Sequence, residues 1–455
     1  MCAGAAAAAA WLMRSTLPQE IARIQQEIAI MNESIEGLAE YEVVDKLGEG
    51  TFSSVYKAID LNHYAYDNHP WAGGDDAMLP VDVPRKKVYV ALKRIYVTSS
   101  PQRILNELEL MEELRDCANI AYLITAFRTE DQIVAVMPYS RHRDFREFYR
   151  TFPLQDMRCY FRCLFRALEG CHSYGIMHRD VKPANFLYDP ASGEGVLCDF
   201  GLAERFEPRD WRGKCHHMLP TLDYPHGKVQ VNRTVPSSHF NPGGALAKQG
   251  PPRSAGVNSM TSSRGIMAPP ERIGYLKDDT RPGVRANRAG TRGFRAPEVL
   301  LKCVDQTTSL DMWSAGIILL AFLTKRFPLF NSNDDTEALL ELMMIFGKKK
   351  MTQCALLHNR TLQCNIPTSS MPAGSGLPPN DGYRIPDFIT RLNPGIYDVP
   401  EGHPDPKAYS KEVTAVIDLA RVLLHPDCTR RWTARQALEH PFLAELPNEH
   451  LVIDT

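Results

Sequence analysis

Apolar and polar residues alternate along Tyr41-Glu42-Val43-Val44-Asp45-Lys46-Leu47 and again, past a glycine-bearing stretch, from Val55 to Ile59. A period of two marks a half-buried strand, so the pair predicts two strands joined by a glycine loop. Val88 to Ile95 predicts a third strand with Lys93 inside an apolar run. Ile120 to Phe127 and Gln132 to Val136 predict two more. Helical spacing appears upstream, where Ile21, Ile24 and Ile28 recur between Pro18 and Met31; this reads as an amphipathic helix packed on the folded domain. Pro101 to Leu114 reads as a helix with Leu105, Leu108, Met111 and Leu114 on its buried side.

The second half is mostly helical. Leu154 to Gly175 keeps Tyr160, Leu164, Leu168 and Cys171 on one side, and Phe186-Leu187 and Val196 to Cys198 bracket a turn as short strands. Asp311 to Phe322 is apolar nearly all round, as a helix buried at the centre of a domain would be. Glu337 to Phe346, Ser410 to Leu424 and Thr433 to His440 supply further helices. Three stretches lack a period and are rich in Pro, Gly, Asn and Ser, and they read as insertions: about 61–87, 206–285 and 350–409. The fold class is therefore α+β. A sheet region with one main helix spans 41–139 and a mainly helical region spans 140–447, flanked by an N-terminal tail and helix, 1–40, and a tail, 448–455.

Composition narrows the possibilities. A net charge of -2 over 455 residues argues against direct nucleic-acid binding by the whole chain. No stretch reaches the ~18 apolar residues of a membrane span. The run Ala5 to Ala10 lacks a basic segment before it and reads as a tail rather than a secretory signal, and Cys2 occupies the position where myristoylation needs Gly. The 11 cysteines, an odd number without framework spacing, indicate reduced thiols. Cys215-His216-His217 offers the start of a zinc site without a second Cys in its insertion. Cys354, His358 and Cys364 lack a fourth ligand, and neither set is complete as sequence.

The chemistry is concentrated in His178-Arg179-Asp180-Val181-Lys182-Pro183-Ala184-Asn185, followed by Asp199-Phe200-Gly201. An acid that can take a hydroxyl proton, a cation for phosphate and an amide and carboxylate for a metal ion make most of a phosphoryl-transfer site. The order H-R-D-x-K-x-x-N and then D-F-G resembles the catalytic and metal loops of the eukaryotic protein kinases. The glycine stretch, Lys93, Glu107 and the late Ala296-Pro297-Glu298 fit the same pattern. A second H-R-D, His142-Arg143-Asp144, lacks the Lys and Asn and reads as a surface helix start.

The resemblance implies a two-lobed kinase fold with long insertions, ATP and Mg²⁺ as cofactors, and a role for each matching residue. Leu47, Gly48, Gly50, Ser53, Val55, Ala91, Met137, Tyr139 and Leu187 would line the nucleotide site, with Met137-Pro138-Tyr139 as the hinge. Lys93 would hold the phosphates and Glu107 would hold Lys93. Asp180 would orient the acceptor hydroxyl, Lys182 would stabilise the transferring group, and Asn185 and Asp199 would bind metal. Thr291 would bond Asp180 and Lys182. Glu298 would pair with Arg431, and Asp311 would anchor the catalytic loop. Lys182, two residues after Asp180, is the mark of serine/threonine specificity in that family.

Gly48 to Lys57, the Met137 hinge and Arg288-Ala289-Gly290-Thr291-Arg292-Gly293-Phe294-Arg295-Ala296-Pro297-Glu298 together resemble the cell-division-cycle-7 kinases in a fungal-like form. That likeness implies a nuclear enzyme with a regulatory activator subunit of the Dumbbell-former type. It also implies the minichromosome-maintenance helicase as protein substrate, phosphorylated to start DNA replication. Between Arg281 and Arg295 stand five arginines and no acid, which predicts a preference for acidic or phosphorylated residues after the target. A cyclin-dependent or casein-kinase-like relative is the alternative, though the long insertions speak against it. An inactive scaffold would need Lys93, Asp180 or Asp199 to be missing.

Overall fold

In the computed structural model the described residues are 19–50, 52–66, 86–96, 99–206, 215–218, 286–362, 364–366 and 381–444. The Ala-rich tail and most of the first two insertions lie outside them. The chain divides into two units, one built from residues within 1–145, 159–174 and 183–203, the other from 146–158, 175–182 and 204–455.

The first unit is organised by its strands. β1 (Tyr41–Glu49), β2 (Ser53–Asp60), β3 (Tyr89–Ile95), β4 (Thr125–Thr129) and β5 (Gln132–Pro138) form an antiparallel sheet in the order β1-β2-β3-β5-β4. A helix at 19–34, α1, covers one face. Met31, Ile35 and Leu38 bury themselves against Tyr56, Ala58, Val90, Leu92, Val134 and Val136. The helix is also pinned by charge: Glu27 accepts from the Tyr56 hydroxyl at 2.5 Å and from Lys46 Nζ at 3.0 Å. Of the three isoleucines that suggested α1, Ile21 stays 48% exposed, and the anchoring contacts come from its C-terminal end.

α2 (Pro101–Glu113) starts at Ser100, whose side chain accepts from Arg103 N–H. Its buried residues are Ile104, Glu107, Leu110 and Met111, with Leu114 following. Leu105, expected inside, is 49% exposed. The helix is turned so that Glu107 faces the sheet, and a residue two positions earlier then lies about 200° around the axis. The run from Ile120 to Ile124 also departs from expectation. It bridges to Leu197 instead of extending β4, with Ala121 N–H donating to Leu197 C=O at 2.9 Å.

The same unit contains the hairpin β7 (Phe186–Asp189) and β8 (Glu194–Leu197), and β6 (Ile176–Met177) pairs with β9 (Glu204–Arg205) in the second unit. The helix α3 (Leu154–Ser173) contributes residues to both units. Within the first, Tyr160 stacks its ring edge on Phe186 at 4.8 Å.

The core of the second unit is α4 (Ser309–Thr324), buried from Leu310 to its end. Around it lie α5 (Asp335–Phe346), α6 (Lys348–Leu357), α7 (Ile385–Leu392), α8 (Pro406–Leu423) and α9 (Ala434–Leu438). α6 and α7 occupy what composition marked as an insertion. Met351, Cys354 and Ala355 on α6 and Ile385 and Ile389 on α7 supply enough buried apolar surface to hold them. Asp334, Asp405 and Thr433 cap α5, α8 and α9 with side-chain acceptors. Among the described residues no helix is long and apolar enough to cross a membrane.

Candidate active site

The first unit holds a cavity of about 310 Å³ with Leu47, Val55, Ala91, Met137 and Leu187 as apolar walls. Gly48, Gly50, Ser53 and Tyr139 also line it, and Lys93, Glu107, Asn185 and Asp199 form its polar part. Strand register sets these positions. Val55 pairs with Lys93 and Ala91 with Met137 across the sheet, so alternate side chains of three strands reach the same space. The glycine turn is closed by Gly50 N–H donating to Ser53 C=O at 2.8 Å. A Cβ on Gly48 would meet no atom within 4 Å, so the space beside that backbone is open to a phosphate-sized group.

Lys93 is 7% exposed, and its Nζ donates to Glu107 Oε1 at 2.5 Å and Asp199 Oδ1 at 2.8 Å. Burial works against its charge, but the Glu107 and Asp199 carboxylates outweigh it and hold the ammonium above its ordinary value. Asp199 sits at φ +67°, a left-handed conformation uncommon for a residue with a Cβ. Gly201, two residues on, needs its missing side chain: a Cβ there would lie 3.2 Å from Glu107 Oε2 and 3.3 Å from Asp199 Oδ1. α2 also ties down this loop, Arg103 Nε donating to Gly201 C=O at 2.7 Å and Asn106 Nδ2 to Ala203 C=O at 3.1 Å. At the base of the hairpin, Cys198 N–H donates to Asn185 C=O at 2.9 Å, which brings Asn185 beside the residue preceding Asp199. Carboxylate and amide oxygens of this kind suit a hard divalent cation. Cavity, open glycine turn and oxygen donors all fit a nucleotide with its metal ion.

The second unit holds the loop from His178 to Lys182. Asp311, fully buried, accepts from His178 N–H at 2.9 Å and Arg179 N–H at 2.8 Å. Arg179 lies at φ +69° and its guanidinium pairs with Glu204. Asp180 Oδ1 accepts from both the Thr291 N–H and hydroxyl, each at 2.8 Å, and Oδ2 accepts from Lys182 Nζ at 2.8 Å. Lys182 Nζ also donates to Thr291 Oγ1 at 3.1 Å. The approach of Thr291 depends on Gly290, at φ +91°, where a Cβ would collide with Arg179 C=O at 2.3 Å. An acid so held can orient a hydroxyl and accept its proton beside a lysine that can balance phosphate charge.

Sequence reasoning missed Asp335. Its carboxylate receives Arg288 at 2.5 Å and Arg295 at 2.7 Å, with Arg292 Nε at 3.7 Å. The arginines around Thr291 thus share one anion from the start of α5, and three cations facing one carboxylate keep an excess of positive charge. Asp334-Asp335 at a helix start signals a cap, which Asp334 is; nothing local says that the neighbouring acid serves another segment. Arg281 and Arg285 fall outside the described residues. His142-Arg143-Asp144 is exposed ahead of the one-turn helix Phe145–Phe148.

Comparison with known proteins agrees with this geometry. The protein kinase domain family model matches residues 83–225 and 275–443. The chain is 42% identical over 436 residues to the cell cycle serine/threonine-protein kinase hsk1 of Schizosaccharomyces pombe, covering 93% of this chain and 76% of that protein. It is 37% identical to the cell cycle protein kinase spo4 of the same organism, covering 93% and 88%. It is 30% identical to the cell division cycle 7-related protein kinase of Homo sapiens, covering 76% and 72%.

Proposed function

Because the chain belongs to the cell-division-cycle-7 family of serine/threonine protein kinases, we propose that it transfers the γ-phosphoryl group of ATP to Ser or Thr in acidic contexts to promote the start of DNA replication. A kinase domain uses ATP and a divalent metal ion and acts on protein. The finer reading is Mg²⁺ as the ion, the replicative minichromosome-maintenance helicase as substrate, a Dumbbell-former-type activator as partner, and the nucleus as the place of action.

The observation that carries the chemistry is Lys93, an ammonium fixed between two carboxylates in the wall of a nucleotide-sized cavity. Lys93 binds α- and β-phosphate oxygens, with Glu107 setting its position. Asp180 orients the acceptor hydroxyl and takes its proton, and Lys182 stabilises charge on the group in transit. Asn185 and Asp199 would hold Mg²⁺, which would supply neutralisation of phosphate charge. The preference for acid is supported by the unbalanced arginines at Arg288, Arg292 and Arg295.

The test is phosphate transfer by the purified chain, with and without a co-purified activator, to peptides carrying Ser followed by Asp, Glu, phosphoserine or Ala. Higher kcat/KM on the acidic and phosphorylated peptides, and stimulation by the partner, are expected. No gain over Ala would sink the acidic reading, and full activity of the lone chain would sink partner dependence.

A further inference from the structure

Apart from the nucleotide and catalytic residues, two cysteines and two histidines meet in the second unit. Cys215 and His217 belong to the only described stretch of the insertion between residues 207 and 285. Cys303 follows the short helix Pro297–Leu300, and His358 caps the C-terminus of α6. One ligand atom from each lies within 4.8 Å of all the others. We propose that Cys215, His217, Cys303 and His358 form a structural zinc site that fastens the insertion to the helical core of this unit.

The donor set is that of closed structural zinc: two thiolates and two imidazoles, with no position left for water. Soft sulfur donors together with imidazole nitrogen select Zn²⁺ over Mg²⁺ or Ca²⁺. The two sulfurs are 3.4 Å apart. A disulfide needs about 2.05 Å, whereas two thiolates each about 2.3 Å from one tetrahedral ion stand roughly 3.8 Å apart. Two thiolates also cancel the ion's charge, so the burial of Cys215, Cys303 and His358 leaves no net charge in the interior.

The imidazoles make the stronger argument. His358 is fully buried, and neither of its ring nitrogens has a hydrogen-bond partner. A buried donor and acceptor left unmet in a native fold calls for an unseen partner. His217, 9% exposed, places Nε2 at 2.8 Å from Asp305 C=O and leaves Nδ1 unpartnered. A carbonyl on one ring nitrogen, fixing the other toward the metal, is the usual support of a histidine ligand. A disulfide would account for the sulfurs alone and leave both histidines unexplained.

The backbone is consistent with a fastening. His216 N–H donates to Leu357 C=O at 2.8 Å, next to His358, and Cys303 N–H donates to Glu298 C=O at 2.9 Å. The ligand Cys303 is thereby joined to the residue that pairs with Arg431. Neither set proposed from sequence is the assembled one. Cys354 Sγ turns to Pro426 C=O at 3.2 Å and Cys364 Sγ to Met343 Sδ at 3.0 Å.

The test uses the full chain purified without added metal or chelator, its metal content read by mass spectrometry. About one zinc per chain is expected. In chelator-treated protein, Co²⁺ should give the intense visible absorption of tetrahedral thiolate coordination and Zn²⁺ should bleach it. Cys215→Ser and His217→Asn, both in the insertion, should lower zinc occupancy about tenfold or more. Wild-type protein without stoichiometric zinc and without the Co²⁺ bands would overturn the proposal. So would unchanged zinc in a folded Cys215→Ser variant, or a Cys215–Cys303 disulfide peptide from a non-reducing digest. Should either variant fail to fold, the wild-type zinc content and Co²⁺ spectrum decide.

Discussion

The guanidinium of Arg431 and the carboxylate of Glu298 meet in a two-pronged ion pair, Nη1 to Oε1 at 2.7 Å and Nη2 to Oε2 at 3.0 Å, with both side chains out of solvent. Arg431 also donates to Ser309 C=O at 2.7 Å and stands over the Trp313 ring, so one residue joins the segment after Thr291 to the start of α4. Removing one partner leaves the other charged and buried, which costs about 3–5 kcal/mol. Glu298→Gln should therefore unfold at a much lower denaturant concentration than wild type, with an unchanged m-value.

The same pair predicts a pH dependence. Burial alone would raise the Glu298 carboxyl, but Arg431 outweighs it and the value falls below the ordinary 4.5. A carboxyl lowered on folding contributes stability that is present above its unfolded value and lost as pH falls through its folded one. Wild type should lose stability more steeply than Glu298→Gln as pH drops below about 4.5. Parallel stability curves for the two proteins would show that the pair does not titrate as described.

Lys93→Met should remove phosphate transfer by roughly 10²–10³ in kcat, the range for loss of one preorganised charge-stabilising donor. Lys93→Arg should not restore it, since a planar fork cannot replace a compact ammonium between Glu107 and Asp199. Thermal unfolding of both variants checks that the sheet survives. Near-normal activity of either would remove Lys93 from the chemistry.

Thr291 offers a sharper distinction. Its hydroxyl donates to Asp180 and accepts from Lys182. Thr291→Ser keeps both bonds and should retain activity within about threefold, whereas Thr291→Val keeps the shape, loses both, and should drop kcat by about 10². Equal activity of the two would show that the threonine acts through packing.

The kinase pattern was legible because it is local: His178 to Asn185 and Asp199 to Gly201 carry their own spacing, and the resemblance they carry pointed to Lys93, Glu107 and Arg431. What sequence could not supply were groupings made by long-range folding. Asp335 serves arginines 40 and 47 residues earlier in the chain by way of α5. Cys303 is unremarkable in sequence, and His358 was grouped there with the wrong cysteines, until folding gathers both with Cys215 and His217. The exposure of Leu105 has the same origin, since helix rotation is set by the bond from Glu107 to Lys93 and not by apolar spacing alone.

Met31 tests the role of α1. Its side chain is 1% exposed, within a core cluster that contains Tyr56, Val90, Leu92 and Val136. Met31→Ala should destabilise the first unit by about 2–5 kcal/mol. Ile21→Ala, on the exposed end of the same helix, should change stability by less than about 0.5 kcal/mol. Since Ala raises helix propensity at both positions, equal losses would mean that the exposed end of α1 is held by contacts as strong as those of Met31.

Asp335 acts as an internal competitor for the arginines proposed to read acidic substrates. In the structure it draws Arg288 and Arg295 fully and Arg292 partly, so an incoming carboxylate or phosphate must share or displace it. Asp335→Asn removes the competitor and keeps the side-chain shape. Two effects should follow: the segment around Thr291 loosens, lowering kcat on a Ser-Ala peptide, and the arginines gain a free hand for anions. The ratio of kcat/KM on Ser-phosphoserine to that on Ser-Ala should rise by about tenfold, within the range of one charge-assisted hydrogen bond. High salt should erase most of the gain, because Arg288 and Arg292 have side chains 46% and 40% exposed. Arg292→Ala should move the ratio the opposite way. An unchanged ratio in both variants would mean that the arginines only hold their own segment, and acceptor preference would have to be sought in other residues.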